Sequence, residues 1–558
     1  MIAEWIARAA ARQGGAPYLE DATGTGTLTY AGLQRSTRAW ADCLDRAGVP
    51  PGAQVAVRLP DPLSYATALV SILGAGRVVI PLDPGAPAAE LSRVLDAARP
   101  DAAVSDSGAG LPPGLAVLRP PDRSFEPNGP GPSPAAERAV IPGGTSLACG
   151  IFLCTSGTTG APKGILLRED QLCHVAAGVA DHHRLFPADR GYCCLPLFHV
   201  NAEVVGLLAT LAAGACLVLD RKFSRRRFWE LIEQQRITWI NAVPAIIAVL
   251  AMDPPAVPPA GRVRFVRSAS APLPPSVLRR FEEASGVPVI ETYGMTEAAS
   301  MITANPLDGP RKAGSAGLPA GAEVRVARLD AGRYVPCPAL EVGRVQIRGR
   351  GVISEYAENG PAGAIDPEGW LDTGDLGHLD RDGYLFLAGR SDDVINRGGE
   401  KIYPREIEDI LLAQPGVRFA AVVAAHDEVL GQRPVAYVVP AGPWRRGLAD
   451  ALRAACEAAL PRPKRPAAFY LVRELPLGPT GKVARYRLQE LAARPALPPV
   501  ALGGGGHRLP FPPGRQPGLV VRGRDAQRRL TEEQAQRRVR GVHKLQHRVA
   551  GGGRVAGR

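Results

Sequence analysis

Eleven residues, CTSGTTGAPKG from Cys154 to Gly164, combine three glycines, four hydroxyl side chains and one lysine. Glycines let successive backbone N–H groups converge on an anion. Thr155, Ser156, Thr158 and Thr159 add hydroxyl donors, and Lys163 adds a mobile positive charge. The chemistry of such a stretch is phosphate binding. Its spacing is not that of the common nucleotide loop, which places Lys directly after Gly and before Ser or Thr. Here Ala161 and Pro162 separate Gly160 from Lys163, and Gly164 follows. Standing alone, the stretch also reads as an ordinary Gly/Thr surface turn.

The elements around it alternate. AQVAVRLP reads as a strand, DPLSYATALVSILGAG as a helix and RVVIPLDP as a strand, followed by a helix at AAELSRVLDAARP and a strand at DAAVSD. The rhythm returns at RRFWELIEQQRITWINAV and at PPSVLRRFEEASGVPVIETYG. Strands alternating with helices of this length predict βαβ units and mostly parallel sheets, an α/β fold. In such sheets ligands collect at the carboxyl ends of strands, which makes the turn after VIETYG a site candidate. GIFLC and GILLRED place the glycine-rich stretch between two strands. Residues 112–144 are rich in Pro, Gly and Ser and read as a surface connection. HLDRDGYLFLAGR reads as short strands with turns, and from Ser391 a small α+β unit begins.

At 558 residues the chain exceeds one compact core. The reading is a large N-terminal domain over 1–390, a small α+β domain over 391–496 and a basic tail over 497–558. From residue 501 onward there are thirteen Lys/Arg against three Asp/Glu, so the tail carries most of the net charge of +12. The body therefore gives no electrostatic case for nucleic acid. The tail lacks a sustained hydrophobic period and is expected to be disordered; nucleic-acid binding by it is disfavoured. Nine scattered cysteines without CxxC pairs fit a reducing cytoplasm, with adjacent Cys193 and Cys194 read as strand residues. MIAEWIARAAARQGG is a short amphipathic helix. VVGLLATLAAGACLVL, broken by Gly214, is short for a membrane span and reads as a buried helix followed by a strand.

Six stretches occur in one order: TSGTTGAPKG, LPLFHVN (195–201), ETYGMTE (291–297), DTGD (372–375), GRSDDVINRGGEKIYPREIE (389–408) and PLGPTGKVAR (476–485). Together they resemble the adenylate-forming superfamily of acyl-CoA synthetases, standalone adenylation domains and luciferases, over about residues 1–495. The resemblance implies an acid–thiol ligase. ATP and a carboxylate would give an acyl-adenylate and pyrophosphate, and a thiol would then take the acyl group. It implies that Thr155, Ser156, Gly157, Thr158, Thr159, Gly160 and Lys163 hold the β- and γ-phosphates. Tyr293 would stack on adenine, with Ala271 of SASAP lining the adenine pocket. Thr296 would contact the α-phosphate, Glu297 would hold Mg²⁺, and Asp375 and Arg390 would serve the ribose and phosphate region. Lys482 would enter the site for adenylation and leave before the thiol arrives, by rotation of a mobile small domain about a hinge at Asp392. Gly399 would then line the pantetheine tunnel.

His199 stands where amino-acid-activating relatives carry aspartate, so an α-amino acid is disfavoured. It resembles the aromatic gate of acyl-CoA synthetases, with Asn201 and Gly294 in the acyl pocket. Arg267 either faces that pocket or forms a structural pair. Glu203 lies near it and would exclude some anionic tails. GMTEAASMITANPL is similar to small-acid and medium-chain ligases. The expected partners are a carboxylic acid of modest size and CoA, or alternatively a carrier-protein phosphopantetheine.

Overall fold

Asp61 shows how the chain marks its elements. Its carboxylate accepts from the Ser64 N–H at 2.9 Å, capping a helix that opens on Pro62 and runs over Pro62–Gly74. Both choices suit a helix start: the carboxylate satisfies an orphan N–H, and proline has none to lose. The helix links strands Gln54–Arg58 and Val78–Pro81, which pair in parallel. This βαβ unit repeats through the first half of the chain. The computed structural model describes residues 1–119, 149–156, 162–252, 261–357, 363–442, 447–477 and 483–493. Lys482, the glycine-rich turn 157–161 and the basic tail lie outside the described residues, as does most of the segment 112–144.

Four sheets organise the described residues. A six-stranded sheet runs in the order Ala116–Leu118, Ala102–Ser105, Gln54–Arg58, Val78–Pro81, Gly150–Ser156, Pro162–Arg168, parallel except at the last strand. Within 112–144, then, the short strand Ala116–Leu118 joins a sheet edge where the composition had pointed to a surface connection. A nine-stranded sheet has six parallel strands at its centre, in the order Val289–Met295, Phe265–Ser268, Trp239–Ala242, Arg190–Cys193, Cys216–Leu219 and Pro17–Asp21. Its outer strands are antiparallel. A third, five-stranded sheet over residues 323–390 is wholly antiparallel, and only its last part, around HLDRDGYLFLAGR, reads from sequence as short strands and turns.

The helices Ile2–Gln13, Tyr30–Arg46, Pro62–Gly74 and Glu169–His182 pack into one core with the facing sides of the two large sheets, around Trp40, Tyr18, Tyr30 and Trp239. The VVGLLATLAAGACLVL stretch is the buried helix and strand expected, with one refinement. Asn201–Leu208 is wound as a π-helix before a short α-helix, Ala209–Ala213, and the strand Cys216–Leu219. π-Turns of this kind recur at functional sites. The fourth sheet, over residues 395–471, has a core of its own around Ile395, Ile407, Val422, Val438 and Leu452, under the helices Pro404–Leu412 and Leu448–Ala459. No described helix is long and apolar enough to cross a membrane.

Candidate active site

The described ends of the glycine-rich stretch are paired strands. Gly150–Ser156 pairs antiparallel with Pro162–Arg168 up to the Thr155–Lys163 and Ser156–Pro162 positions. Lys163 is half-buried, with its ammonium 5.8 Å from the centre of the Tyr356 ring. The Tyr356 hydroxyl in turn donates to Glu297 Oε1 at 3.1 Å. Burial first, and then the Glu297 charge, raise the Tyr356 phenol far above its ordinary range, so it stays a donor. Lys163 and Glu297 are 134 positions apart in sequence and meet across one aromatic ring. Tyr356 was not singled out by the sequence, because EYAENG has no distinguishing pattern.

Glu297 is buried at the end of the turn after VIETYG, where the chain reverses between strands Val289–Met295 and Ser300–Ala304. The reversal is tight. A Cβ at Gly294 would lie 1.5 Å from the Ser300 carbonyl oxygen, so only glycine fits. Ala299 and Ser300 sit at φ +48° and +103°, a strained arrangement for residues with side chains and common at functional sites. Thr296 opens the same turn. No group of three or more His, Cys, Asp or Glu that would cage a metal occurs among the described residues. One buried carboxylate fits Mg²⁺ that arrives with phosphate oxygens and water as its remaining ligands.

The ribose candidates assemble without help from Lys163 or Glu297. The Tyr293 hydroxyl donates to Asp375 Oδ2 at 2.6 Å. Arg390 Nη1 donates to Asp375 Oδ1 at 3.3 Å and to the Thr373 carbonyl at 2.9 Å. Asp375 and Arg390 are register partners on adjacent strands. Gly374, at φ +73°, lets the guanidinium pass where a Cβ would sit 2.9 Å from Nη2. Ala271 is exposed beside Ser270, itself at φ +74°. Asp392 lies in the short turn Ser391–Asp393 between the third and fourth sheets. Gly399 turns the chain at φ +93° between strands Ile395–Arg397 and Glu400–Ile402, its N–H donated to Asn396 Oδ1 at 2.9 Å. Nothing lies within 4 Å of a Cβ built there.

On the acid side, half-buried His199 packs against Phe198 with ring centres 4.7 Å apart. Its carbonyl accepts the Ala202 and Glu203 N–H groups that begin the π-helix. Asn201 Oδ1 accepts from Arg267 Nη1 at 2.8 Å and from Asn241 Nδ2 at 3.2 Å, and its own Nδ2 donates to Ser270 Oγ at 3.4 Å. Arg267 Nη1 also reaches Asn241 Oδ1 at 3.2 Å. Cys193, Asn241 and Arg267 stand at one register level on three adjacent parallel strands. Asn241 was missed from sequence; only its place two residues into an apolar strand, WINA, hinted at a role.

Arg267 is the unusual member. It is 1% exposed, its Nε has no hydrogen-bond partner, and no described carboxylate pairs with it. Burial pushes it down to about 9. Its charge, after burial itself, also holds His183 and His182 below the ordinary histidine range. Glu203 behaves differently from the expectation that it would repel anionic tails. It is fully buried with both carboxyl oxygens unpartnered, and burial raises it well above the carboxylate range, so it is neutral. Its one resolved electrostatic neighbour is Tyr65 of the helix Pro62–Gly74, away from the Arg267 cluster.

The sequence matches the model of the AMP-binding enzyme over residues 6–357 and that of the AMP-binding enzyme C-terminal domain over 406–482. It is 39% identical over 503 residues to sulfoacetate–CoA ligase of Cupriavidus necator, covering 87% of this chain and 97% of that one. It is 33% identical to oxalate–CoA ligase of Arabidopsis thaliana, covering 83% and 93%. Among solved structures, ATP-bound MatB from Rhodopseudomonas palustris superposes with a TM-score of 0.77 at 28% identity, covering 88% and 99%. o-Succinylbenzoate CoA synthetase of Bacillus subtilis with its acyl-adenylate superposes at 0.74 and 28%, covering 87% and 97%. The two matched models and the 39% identical relative show the family: the chain belongs to the AMP-binding, adenylate-forming enzymes.

Proposed function

We propose that this AMP-forming acid–CoA ligase takes a small acid bearing a second anionic group, and that Arg267 is the counter-charge for that group. The reaction joins ATP and a carboxylate to give an acyl-adenylate and pyrophosphate, and then transfers the acyl group to CoA. The observation that carries the proposal is the buried guanidinium with neutral partners only. An uncompensated buried cation is costly, and an anion delivered by substrate removes the cost. Sulfoacetate, oxalate and 2-succinylbenzoate, the acids in the names of three relatives, each carry two acidic groups. Neutral Glu203 places no opposing charge at this end.

The roles follow from the two clusters. The glycine-rich stretch ending at Lys163 holds the β- and γ-phosphates, Thr296 the α-phosphate, and Asp375 with Arg390 the ribose hydroxyls. Tyr293 presents its ring to adenine while its hydroxyl, bonded to Asp375, fixes the carboxylate. Tyr356 holds Glu297 in the orientation that receives Mg²⁺, which neutralises phosphate charge when bound. The acid lies between His199 and the Asn201–Arg267 floor, its reacting carboxylate toward the α-phosphate. A carboxylate oxygen bonds to the α-phosphorus as the bond to pyrophosphate breaks, with Lys482 balancing the added charge. The small domain, 391–496, then turns about Asp392. The thiol attacks the acyl carbon past Gly399, and AMP leaves. The work is positioning and charge stabilisation throughout. The free cysteines and the use of CoA support a place in the cytoplasm.

Pyrophosphate exchange with a panel of acids tests the reading. Oxalate, malonate, succinate and sulfoacetate are expected to stimulate exchange, and acetate, propionate and butyrate to do so far less. Faster exchange with the monoanionic acids of equal length would refute it.

A further inference from the structure

Arg405 stands at the second position of the helix Pro404–Leu412 in the small domain, and its side chain is 14% exposed. It reaches out of its own domain. Nη1 donates to the Leu387 carbonyl at 2.8 Å and Nη2 to the Gly314 carbonyl at 3.2 Å. Asp409, one turn on, lies 3.6 Å from Nε and steers the guanidinium. At the far end of the helix, the Leu412 carbonyl accepts from Ser276 Oγ at 3.3 Å.

One acceptor lies on a strand that carries a proposed nucleotide-side residue, and the other is hydrogen-bonded to such a strand. Leu387 is three residues before Arg390 on the strand Leu385–Arg390. Gly314 donates its N–H to Glu291 Oε2 at 3.2 Å, and Glu291 is two residues before Tyr293 on the strand Val289–Met295. Arg390 and Tyr293 converge on Asp375. Glu291 is buried, and its other oxygen accepts the Leu273 N–H at 3.4 Å. The charged groups facing it are Arg405 and Asp409.

We propose that Arg405 is a positioning residue that couples docking of the small domain to order in the ribose site. One planar fork bridges two carbonyls, one on the strand of Arg390 and one held by Glu291 on the strand of Tyr293, the two residues that meet at Asp375; an ammonium cannot span both. Coupling of this kind is reciprocal: docking that favours nucleotide binding is itself favoured by nucleotide, by the same factor. Glu291 adds a charge term. Burial raises it to about 7 while Arg405 draws it down. As pH rises through 7 it ionises and attracts Arg405, so docking strengthens with pH.

The inference rests on the reading that Lys482 acts in adenylation while the small domain is docked, and the experiment separates the two. Full-length Arg405→Gln, Arg405→Lys, Glu291→Gln and Lys482→Ala are compared in pyrophosphate exchange and in thioester formation from supplied acyl-adenylate and CoA. Trypsin cleavage around Arg390–Arg397 is followed with and without ATP. Arg405→Gln is expected to raise the KM for ATP in exchange about tenfold, the factor that loss of one charge-assisted hydrogen bond gives. Thioester formation should change less than about twofold, within the scatter of a contact it does not use. ATP should protect the wild-type junction but not that of Arg405→Gln. Arg405→Lys should recover only part of the loss. Between pH 6 and 8 the KM for ATP should fall less in Glu291→Gln than in wild type. Equal losses in both half-reactions, an unchanged KM for ATP or full rescue by lysine would overturn the coupling. Should Lys482→Ala retain exchange, the docked-adenylation reading falls and the inference with it. Should Lys482→Ala lose exchange while Arg405→Gln leaves the KM unchanged, the inference alone falls.

Discussion

Replacing Arg267 by Met is expected to make the empty protein more stable and the enzyme worse only for dianionic acids. Holding the guanidinium down at about 9 costs the fold roughly 5 kcal/mol, at about 1.4 kcal/mol per pH unit. Met has similar length and no charge, so that cost disappears. One hydrogen bond is orphaned in exchange: Asn241 Oδ1 loses its 3.2 Å donor, worth about 1–2 kcal/mol, whereas Asn201 Oδ1 keeps the Asn241 amide. The balance favours the variant by about 1–4 kcal/mol, the range seen when buried charges give way to apolar residues. On binding the sign reverses. Losing a buried partner to an anion costs about 2–5 kcal/mol, or roughly 30- to 3,000-fold in kcat/KM. The assay is pyrophosphate exchange with succinate against butyrate, paired with thermal unfolding with and without each acid. Succinate should lose by that factor, butyrate should hold or gain, and succinate should no longer raise the melting temperature. Parallel loss with both acids, or a less stable empty variant, would refute the argument.

Five further outcomes are expected. Glu203→Met should stabilise the protein by about 1–3 kcal/mol, because it removes a carboxyl with two unpartnered oxygens. Glu203 is raised in the fold, so its contribution to stability is full below pH about 4.5 and is lost as pH rises; Glu203→Gln should flatten that decline in a pH series of unfolding midpoints. Tyr356→Phe, which frees Glu297 Oε1, should raise the Mg²⁺ concentration for half-maximal exchange at least about tenfold while leaving the KM for the acid unchanged. Gly294→Ala should cost at least about 3 kcal/mol, since its Cβ would meet the Ser300 carbonyl, and circular dichroism melts would show it. Lys482→Ala should abolish exchange yet largely spare thioester formation from acyl-adenylate.

Much of this was legible in the residues. The helix and strand rhythm from Gln54 to Ser105 emerges as read, because each apolar run is buried on both faces and each helix is bounded by Pro, Asp or Gly. The motif residues fall into two sets of contacts, Lys163 and Glu297 about Tyr356, and Tyr293 and Arg390 about Asp375. What the sequence hid depends on register across chain segments far apart. Tyr356 is an unremarkable aromatic until the strand reversal at 294–300 brings Glu297 against it. Asn241 is one polar residue in an apolar strand until the parallel register sets it beside Arg267. Whether Arg267 was paired could not be read locally, since pairing depends on every element packed over the strand. Glu203 misled for the same reason: it neighbours Asn201 in sequence but meets the opposite helix, Pro62–Gly74.

Cys193, Asn241 and Arg267 occupy one level of three strands whose backbones already satisfy one another. Their side chains therefore vary without disturbing the sheet, while Gly294 is fixed by close approach of the Ser300 carbonyl and Gly374 by room for the Arg390 guanidinium. On the proposed roles, evolution can rewrite the acid this scaffold accepts one residue at a time, and a laboratory can too, while the two glycine positions stay nearly immovable. A family that keeps one nucleotide chemistry and changes its acids is what such an uneven distribution of freedom produces.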